Sequence, residues 1–451
     1  MCCSTRPDIA FMGGLTTSTE FLNTFNNPNE SLLGFAISAY EVGALFGALA
    51  ESAPNNVVGI IIVTIGAIIQ ARSFGIAQFL VGRVVAGFGL GIVSTVIPIW
   101  LAECTLPKSR GRMMAMQLSN MLLGLIIATW LVYGVSFCSS SIQWRLPCAF
   151  QCVFAIIVLC LIPFLPKASH VLAARRGHPE DHPEVMFELQ EISYAIAVES
   201  QEAGSWSDVF KDHGISGWQR VLIAWTANFF QQMSGVNNSV GLSSHNALLV
   251  SGSLQVFYFL SSLIPWYVID RVGRRRLFLL GSMGMGTCML LSAVFVGIGT
   301  KSLGYAAIVA LYLFQTFFTL GWQSNMWIYS SELRPLKLRL RGGALSVVSQ
   351  WLFTFVVVEI TPSYIVFALF NFVTIPVVYF FFPETAKRLI DLLFADRVSD
   401  RRFLEWSGIP QIRSFVAEIE MALAERTNAR EEKERIVDEA KHTVEYLEKS
   451  V

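Results

Sequence analysis

Apolar residues along this chain come in long runs, and the polar residues gather between them. Eleven runs stand out: 31–50, 57–71, 74–102, 113–137, 147–165, 218–240, 246–269, 277–299, 303–330, 343–361 and 364–382. A helix needs about 20 residues to cross a bilayer, so the runs predict membrane-spanning helices. A twelfth candidate, 8–21, falls below the usual minimum of about 17 residues, and so does 57–71. The expected fold class is an all-α polytopic membrane protein of about 12 spans, with the first, third and seventh shortened.

Charge placement orients the spans. Connections carrying Lys108, Arg110 and Arg112, then Lys167, Arg175, Arg176 and Arg220, then Arg271, Arg274, Arg275 and Arg276, then Arg334, Lys337, Arg339 and Arg341 form one set. The alternate connections hold little beyond Arg72, Arg145 and Lys301. Basic loops stay on the cytoplasmic side, which puts both termini there for an even number of spans. Four blocks follow: an N-terminal transmembrane bundle (1–165), a cytoplasmic loop (166–217), a C-terminal transmembrane bundle (218–382) and a cytoplasmic tail (383–451). In the tail, Ile412, Phe415, Ile419 and Leu423 recur at helical spacing among charges and predict a solvated or membrane-surface helix.

Composition narrows the function classes. With 53% hydrophobic and 15% charged residues and a mean hydropathy of +0.53, the chain is far from a soluble protein of the same length, for which about 25% charge is usual. The 33 basic and 33 acidic residues cancel, which argues against a nucleic-acid partner. Of the eight cysteines, Cys148 and Cys152 lie one helical turn apart with no histidine nearby, so neither a disulfide framework nor a metal site is expected. The first residues lack the basic and apolar regions of a cleavable signal peptide. No nucleophile or phosphate-loop constellation points to an enzyme, and no polar ring points to a channel filter.

A six-span offset also brings up a repeat. Ile99-Trp-Leu-Ala-Glu103 with Lys108-Ser-Arg-Gly-Arg112 returns as Ile328-Tyr-Ser-Ser-Glu332 with Arg339-Leu-Arg-Gly342. Each copy closes the fourth span of its half, and duplication is the economical explanation.

These residues, together with Met12-Gly-Gly14, Gly82-Arg83, Trp144-Arg145, Gln231-Gln232-Met-Ser-Gly-Val-Asn237, Asp270-Arg-Val-Gly-Arg-Arg275, Gly321 with Trp327, and Pro383-Glu-Thr385, carry a resemblance from about residue 8 to 395. The chain resembles the sugar porters of the major facilitator superfamily, and among them the fungal proton-coupled monosaccharide transporters. The resemblance implies two six-helix bundles and a secondary active transporter that moves a hexose or pentose by proton symport with alternating access. It further implies no enzyme activity, no cofactor, a monomer, and a place in a membrane, with the plasma membrane expected.

Site residues follow from the matching positions. Gln231, Gln232 and Asn237 are amides in an apolar span, where an unpaired polar group is costly, so they face either a cavity or another helix. Their donors and acceptors suit sugar hydroxyls, and Gly235 loosens the helix between them. The resemblance adds Gln117 as a further sugar ligand and Trp327 and Trp351 as aromatics against the sugar ring, although tryptophan also collects at membrane interfaces. It sets Asp8 on the acid that proton-coupled members protonate and Arg83 on its partner; Asp8 is equally open to a solvated position near the N-terminus. Glu103, Arg110, Arg112, Asp270, Arg271, Arg274, Arg275, Glu332 and Arg341 are expected to form a cytoplasmic charge network, the alternative being simple anchoring at lipid headgroups.

The chain also departs from the family pattern. Glu51-Ser-Ala-Pro-Asn-Asn56 stands where an acidic-basic Gly-Arg-Arg loop is usual, Asn237 runs almost directly into Ser239, Thr361-Pro-Ser-Tyr364 is a short connection, and Pro166-Lys-Ala-Ser-His170 replaces Pro-Glu-Ser-Pro-Arg. The second functional expectation is therefore a transport-dead sugar sensor or a truncated, non-functional paralogue.

Overall fold

The structure, a computed structural model, describes residues 19–50, 56–105, 110–138, 140–161, 186, 217–235, 244–333, 339–360 and 364–385. Among these, every regular element is a helix: α1 (Thr19–Thr24), α2 (Glu30–Leu49), α3 (Asn56–Ala71), α4 (Ile76–Cys104), α5 (Arg110–Val135), α6 (Ile142–Leu161), α7 (Gly217–Met233), α8 (Ser244–Ser262), α9 (Pro265–Val272), α10 (Arg274–Ile298), α11 (Lys301–Phe318), α12 (Ser324–Leu333), α13 (Arg339–Ile360) and α14 (Tyr364–Phe381). A π-helical turn, Thr319–Gln323, joins α11 to α12. The described helices all belong to one compact unit. The predicted loop 166–217 and tail 383–451 lie outside the described residues apart from Met186, Gly217 and 383–385.

Each of the eleven apolar runs coincides with a helix or a broken pair of helices. Eight helices among the described residues are long and apolar enough to cross a membrane, and nine if the bent pair α8 and α9 forms one span. That pair bends by 45° ahead of Pro265, whose ring cannot donate to the preceding turn. The runs expected to be short are short: α3 has 16 residues and α7 has 17. α7 stops because Gly235 turns to φ +91°, with Met289 and Phe367 packed where a side chain would sit. Of the run 8–21, only the end is described, in α1; there Phe21 and Phe25 pack with Phe79 and Trp144 in a buried aromatic cluster.

Between helices, small residues set the spacing, as expected where lipid removes the hydrophobic drive for association. Gly43 and Gly47 of α2 press on the Val84 and Phe88 backbone of α4, and Gly87 and Gly91 press back on Tyr40 and Ala44. Outward faces remain apolar: Ile61, Ile65 and Ile68 on α3 and Ile365, Leu369 and Phe380 on α14 are exposed.

Contacts between the first and second halves of the chain run chiefly through α2 with α13 and α5 with α8 and α9. In span order these are the second with the eleventh and the fifth with the eighth, pairs that exchange when six is added or subtracted. The pattern fits the duplication read from the sequence. Tyr40, Ala44, Ala86, Val347 and Trp351 form one buried cluster across the α2–α13 seam. At the other seam, Ser119 Oγ of α5 accepts from Ser262 Oγ at 2.8 Å and from Trp266 Nε1 at 3.0 Å.

Candidate functional site

In the second half of α7, Asn228, Gln231 and Gln232 are buried, whereas Thr226 turns its hydroxyl back to the Leu222 carbonyl on the outer side. Gln231 is 0% exposed and Gln232 2% exposed. Neither amide atom of Gln231 has a hydrogen-bond partner among the described residues. On α13, Trp351 is buried and donates from Nε1 to Ser94 Oγ of α4 at 3.4 Å. Trp327 of α12 packs half-buried against the cluster that contains Trp351, so these two expected aromatics share one neighbourhood. Gln117 lies half-buried in α5, two residues before the seam residue Ser119. Asn237 lies outside the described residues.

Arg83 is fully buried in α4. Its Nε donates to Ala36 O at 3.1 Å, its Nη2 donates to Ile37 O at 2.8 Å, and its guanidinium carbon lies 4.6 Å from the centre of the Tyr40 ring. A guanidinium inside a span needs this density of acceptors, since its charge is otherwise stranded in hydrocarbon. Asp8, the expected partner, lies outside the described residues. The sequence reading missed Glu41, beside Tyr40 and 1% exposed; a single acid in the run 31–50 was the available signal.

At the Arg-rich end, Arg274 organises the charges. Its Nη2 lies 3.0 Å from Glu332 Oε1 and 3.3 Å from Asp270 Oδ1, and its Nη1 donates to Ile269 O at 3.2 Å. The backbone N–H groups of Arg274 and Arg275 donate to Glu384 Oε1 and Oε2 at 2.8 and 3.0 Å, so this carboxylate caps the N-terminus of α10. Gly273 makes the cap possible: it sits at φ +95°, and a side chain there would run into Glu384. Thr385 Oγ1 donates to Glu332 Oε2 at 2.7 Å, which ties the Pro383-Glu-Thr385 motif to the same knot. Asp270 also reaches Gly111 of α5, where it occupies the space of a missing Cβ.

The expected network is thus joined around Asp270, Arg274 and Glu332. Arg275 is half-buried and lies over the Tyr379 ring, 5.0 Å from its centre, and Arg341 is half-buried in α13. Arg112 and Arg271 are exposed. Glu103 lies in the last turn of α4 and Arg110 opens α5, but their side chains fall outside the described residues. In the sequence Glu384 belongs to a motif without an assigned role; only the fold brings it to α10.

The ion pairs can lock one end of the bundle, and the buried amide of Gln231 keeps a donor and an acceptor unused among the described residues. The sequence profile described as "Sugar (and other) transporter" matches residues 7–393. The chain belongs to that family. This transporter is 31% identical to the "Sugar transporter STL1" of Saccharomyces cerevisiae over 87% of its own length and 79% of that protein. It is 26% identical to the "High-affinity glucose transporter 1" of Candida albicans, covering 96% of its own length and 90% of the relative. That alignment extends over 498 positions, more than the 451 residues of the chain, so the relative carries internal residues that this transporter lacks.

The fold is that of the major facilitator superfamily. The xylose transporter XylE from E. coli, a proton:xylose symporter solved with 6-bromo-6-deoxy-D-glucose, superposes with a TM-score of 0.71 at 20% identity, over 86% of this chain and 95% of that one. This transporter is accordingly a multi-pass membrane protein of a sugar-transporter family, and its homologues are carriers rather than enzymes.

Proposed function

We propose that this transporter is a secondary active carrier that moves a monosaccharide, a hexose or pentose, across the plasma membrane in symport with a proton. The observation that carries the reading is the buried Gln231-Gln232 pair of α7, and above all Gln231, whose amide lacks any protein partner among the described residues. Neutral amides donate and accept at once, as a sugar hydroxyl does. The remaining sugar contacts are assigned to Gln117, Asn237, Trp327 and Trp351. Proton coupling is assigned to Asp8 and Arg83: a carboxyl that loses its proton gains the cation as a partner, and one that gains a proton releases it.

Two six-helix bundles, 1–165 and 218–382, rock about the central site, and the charge knot around Arg274 closes the cytoplasmic side while the site faces out. The reciprocal seams α2–α13 and α5–α8 support this motion, because each provides a hinge for opening the opposite end. The chain acts as a monomer with both termini in the cytoplasm.

Expression in a cell without hexose carriers tests the reading. Uptake of labelled D-glucose or D-xylose is expected, faster at acidic than at neutral external pH, with Gln231→Leu raising KM about tenfold at equal surface abundance. Absence of uptake of any hexose or pentose, with the protein at the membrane, rejects it. A second reading, a sugar-binding protein that no longer transports, is favoured by the internal residues missing relative to the Candida albicans protein. It predicts sugar binding by the purified chain with no uptake at either pH.

A further inference from the structure

The tenth span changes its helical winding where the sequence reads as one continuous apolar run. Thr319–Gln323 forms a π-helical turn between α11 and α12. Such turns insert an extra residue into a helix, reorient the side chains that follow, and are frequent at functional sites. Several residues around it are committed to α10. Gly321 lies against Gly281, Trp322 Nε1 donates to Ser282 Oγ at 3.0 Å, and Asn325 Nδ2 donates to Arg274 O at 2.7 Å.

Gln323 makes no such bond among the described residues. It stands one turn before Trp327 on the same helical face, and Trp327 packs against the cluster holding Trp351 and Tyr40. Gln323 is 1% exposed, yet neither its Oε1 nor its Nε2 has a hydrogen-bond partner among the described residues. Gln231 of α7, which packs against α12, is in the same condition.

The two residues also share a level in the bundle. Val221 near the start of α7 packs against Leu345 near the start of α13, which places the start of α7 and the end of α12, just before α13, toward the same basic side. Gln231 follows Gly217 by fourteen residues and Gln323 precedes Leu333 by ten, a depth difference of about 6 Å at about 1.5 Å per residue. Two fully buried amides without partners among the described residues, on adjoining helices, mark a place for a polar ligand, because an idle amide inside a bilayer is costly.

We infer that Gln323 is a substrate-binding residue that, opposite Gln231, hydrogen-bonds a hydroxyl of a neutral polyhydroxylated cargo lying on Trp327, and so sets which hydroxyl pattern the carrier accepts. The inference rests on the transport reading and adds to it a specificity determinant. The carboxamide is neutral and both donates and accepts, so it fits an uncharged sugar.

Calorimetric titration of the purified full chain with D-glucose, D-xylose and the monodeoxy-D-glucose series tests this. Wild-type protein is expected to lose about tenfold in affinity for one monodeoxy sugar; Gln323→Leu loses about tenfold for the parent sugar and nothing further for that analogue. If the leucine variant does not fold, Gln323→Asn, which keeps the amide one methylene shorter, is read by the same pairing of variant and analogue. A Gln323 variant that folds and keeps every wild-type penalty across the series overturns the inference. Binding that is weakened by Gln231→Leu but unchanged by Gln323→Leu overturns it alone, whereas wild-type protein that binds none of these sugars overturns the transport reading with it.

Discussion

Replacing Gly87 with leucine is expected to remove nearly all folded protein from the membrane. A Cβ at Gly87 falls on the carbonyl of Tyr40 and next to the Ala44 nitrogen, which are backbone atoms of α2 with no rotamer to yield. The helices must therefore separate, and overpacking of this kind costs about 1–3 kcal/mol. Separation also strips Arg83, one turn before Gly87, from the Ala36 and Ile37 carbonyls. Each hydrogen bond to a charged group adds about 1.5–3 kcal/mol. The sum consumes much of the roughly 5–15 kcal/mol by which folded proteins are stable. Size-exclusion profiles of a fluorescent fusion in detergent give the measurement, with Gly87→Ala expected to be intermediate. A monodisperse leucine variant with wild-type melting behaviour would show that α2 and α4 do not depend on this contact.

Arg274→Ala should have the next largest effect. Its guanidinium is buried and shared by Glu332 and Asp270, whose side chains are 13% and 30% exposed. Removing the cation takes an ion-pair partner from Glu332, which is largely out of water, and breaking a buried pair in this way costs about 3–5 kcal/mol. Partial exposure of Asp270 argues for the lower end, about two orders of magnitude in the equilibrium that the knot holds. Melting temperature and sugar uptake should both fall. Pairing, rather than simple bulk, predicts a rescue: Glu332→Gln added to Arg274→Ala removes the charge that lost its guanidinium and should recover part of the melting temperature. If the double variant melts no higher than Arg274→Ala, the ion pair is not what Arg274 contributes.

Much of the helix plan was legible because each crossing of a bilayer demands a long apolar run. Runs such as 57–71 and 364–382 appear as α3 and α14 with ends shifted by one residue. Breaks inside a run were harder to read. Pro265 announces the bend between α8 and α9, but the π turn at Thr319–Gln323 depends on how Gly321 and Trp322 fit against α10, and no local pattern encodes that fit. The charge knot was legible as residues and not as geometry, since Asp270, Arg274 and Glu332 announced themselves by placement, whereas the cap by Glu384 joins positions more than a hundred residues apart. Gln323 went unnoticed within an otherwise apolar run, where its cluster with Ser324 and Asn325 was the signal to weigh.

An indole nitrogen crosses between the halves of the chain beside each seam. Trp351 reaches from the second half of the chain to Ser94, and Trp266 reaches to Ser119, so each serine of the first half holds the N–H of a tryptophan from the second. Indole emission shifts when that N–H exchanges a protein hydroxyl for water or lipid. The molecule therefore carries its own pair of optical gauges, one on each line of contact, and single Trp→Phe replacements at 351 and 266 separate their signals without any added label.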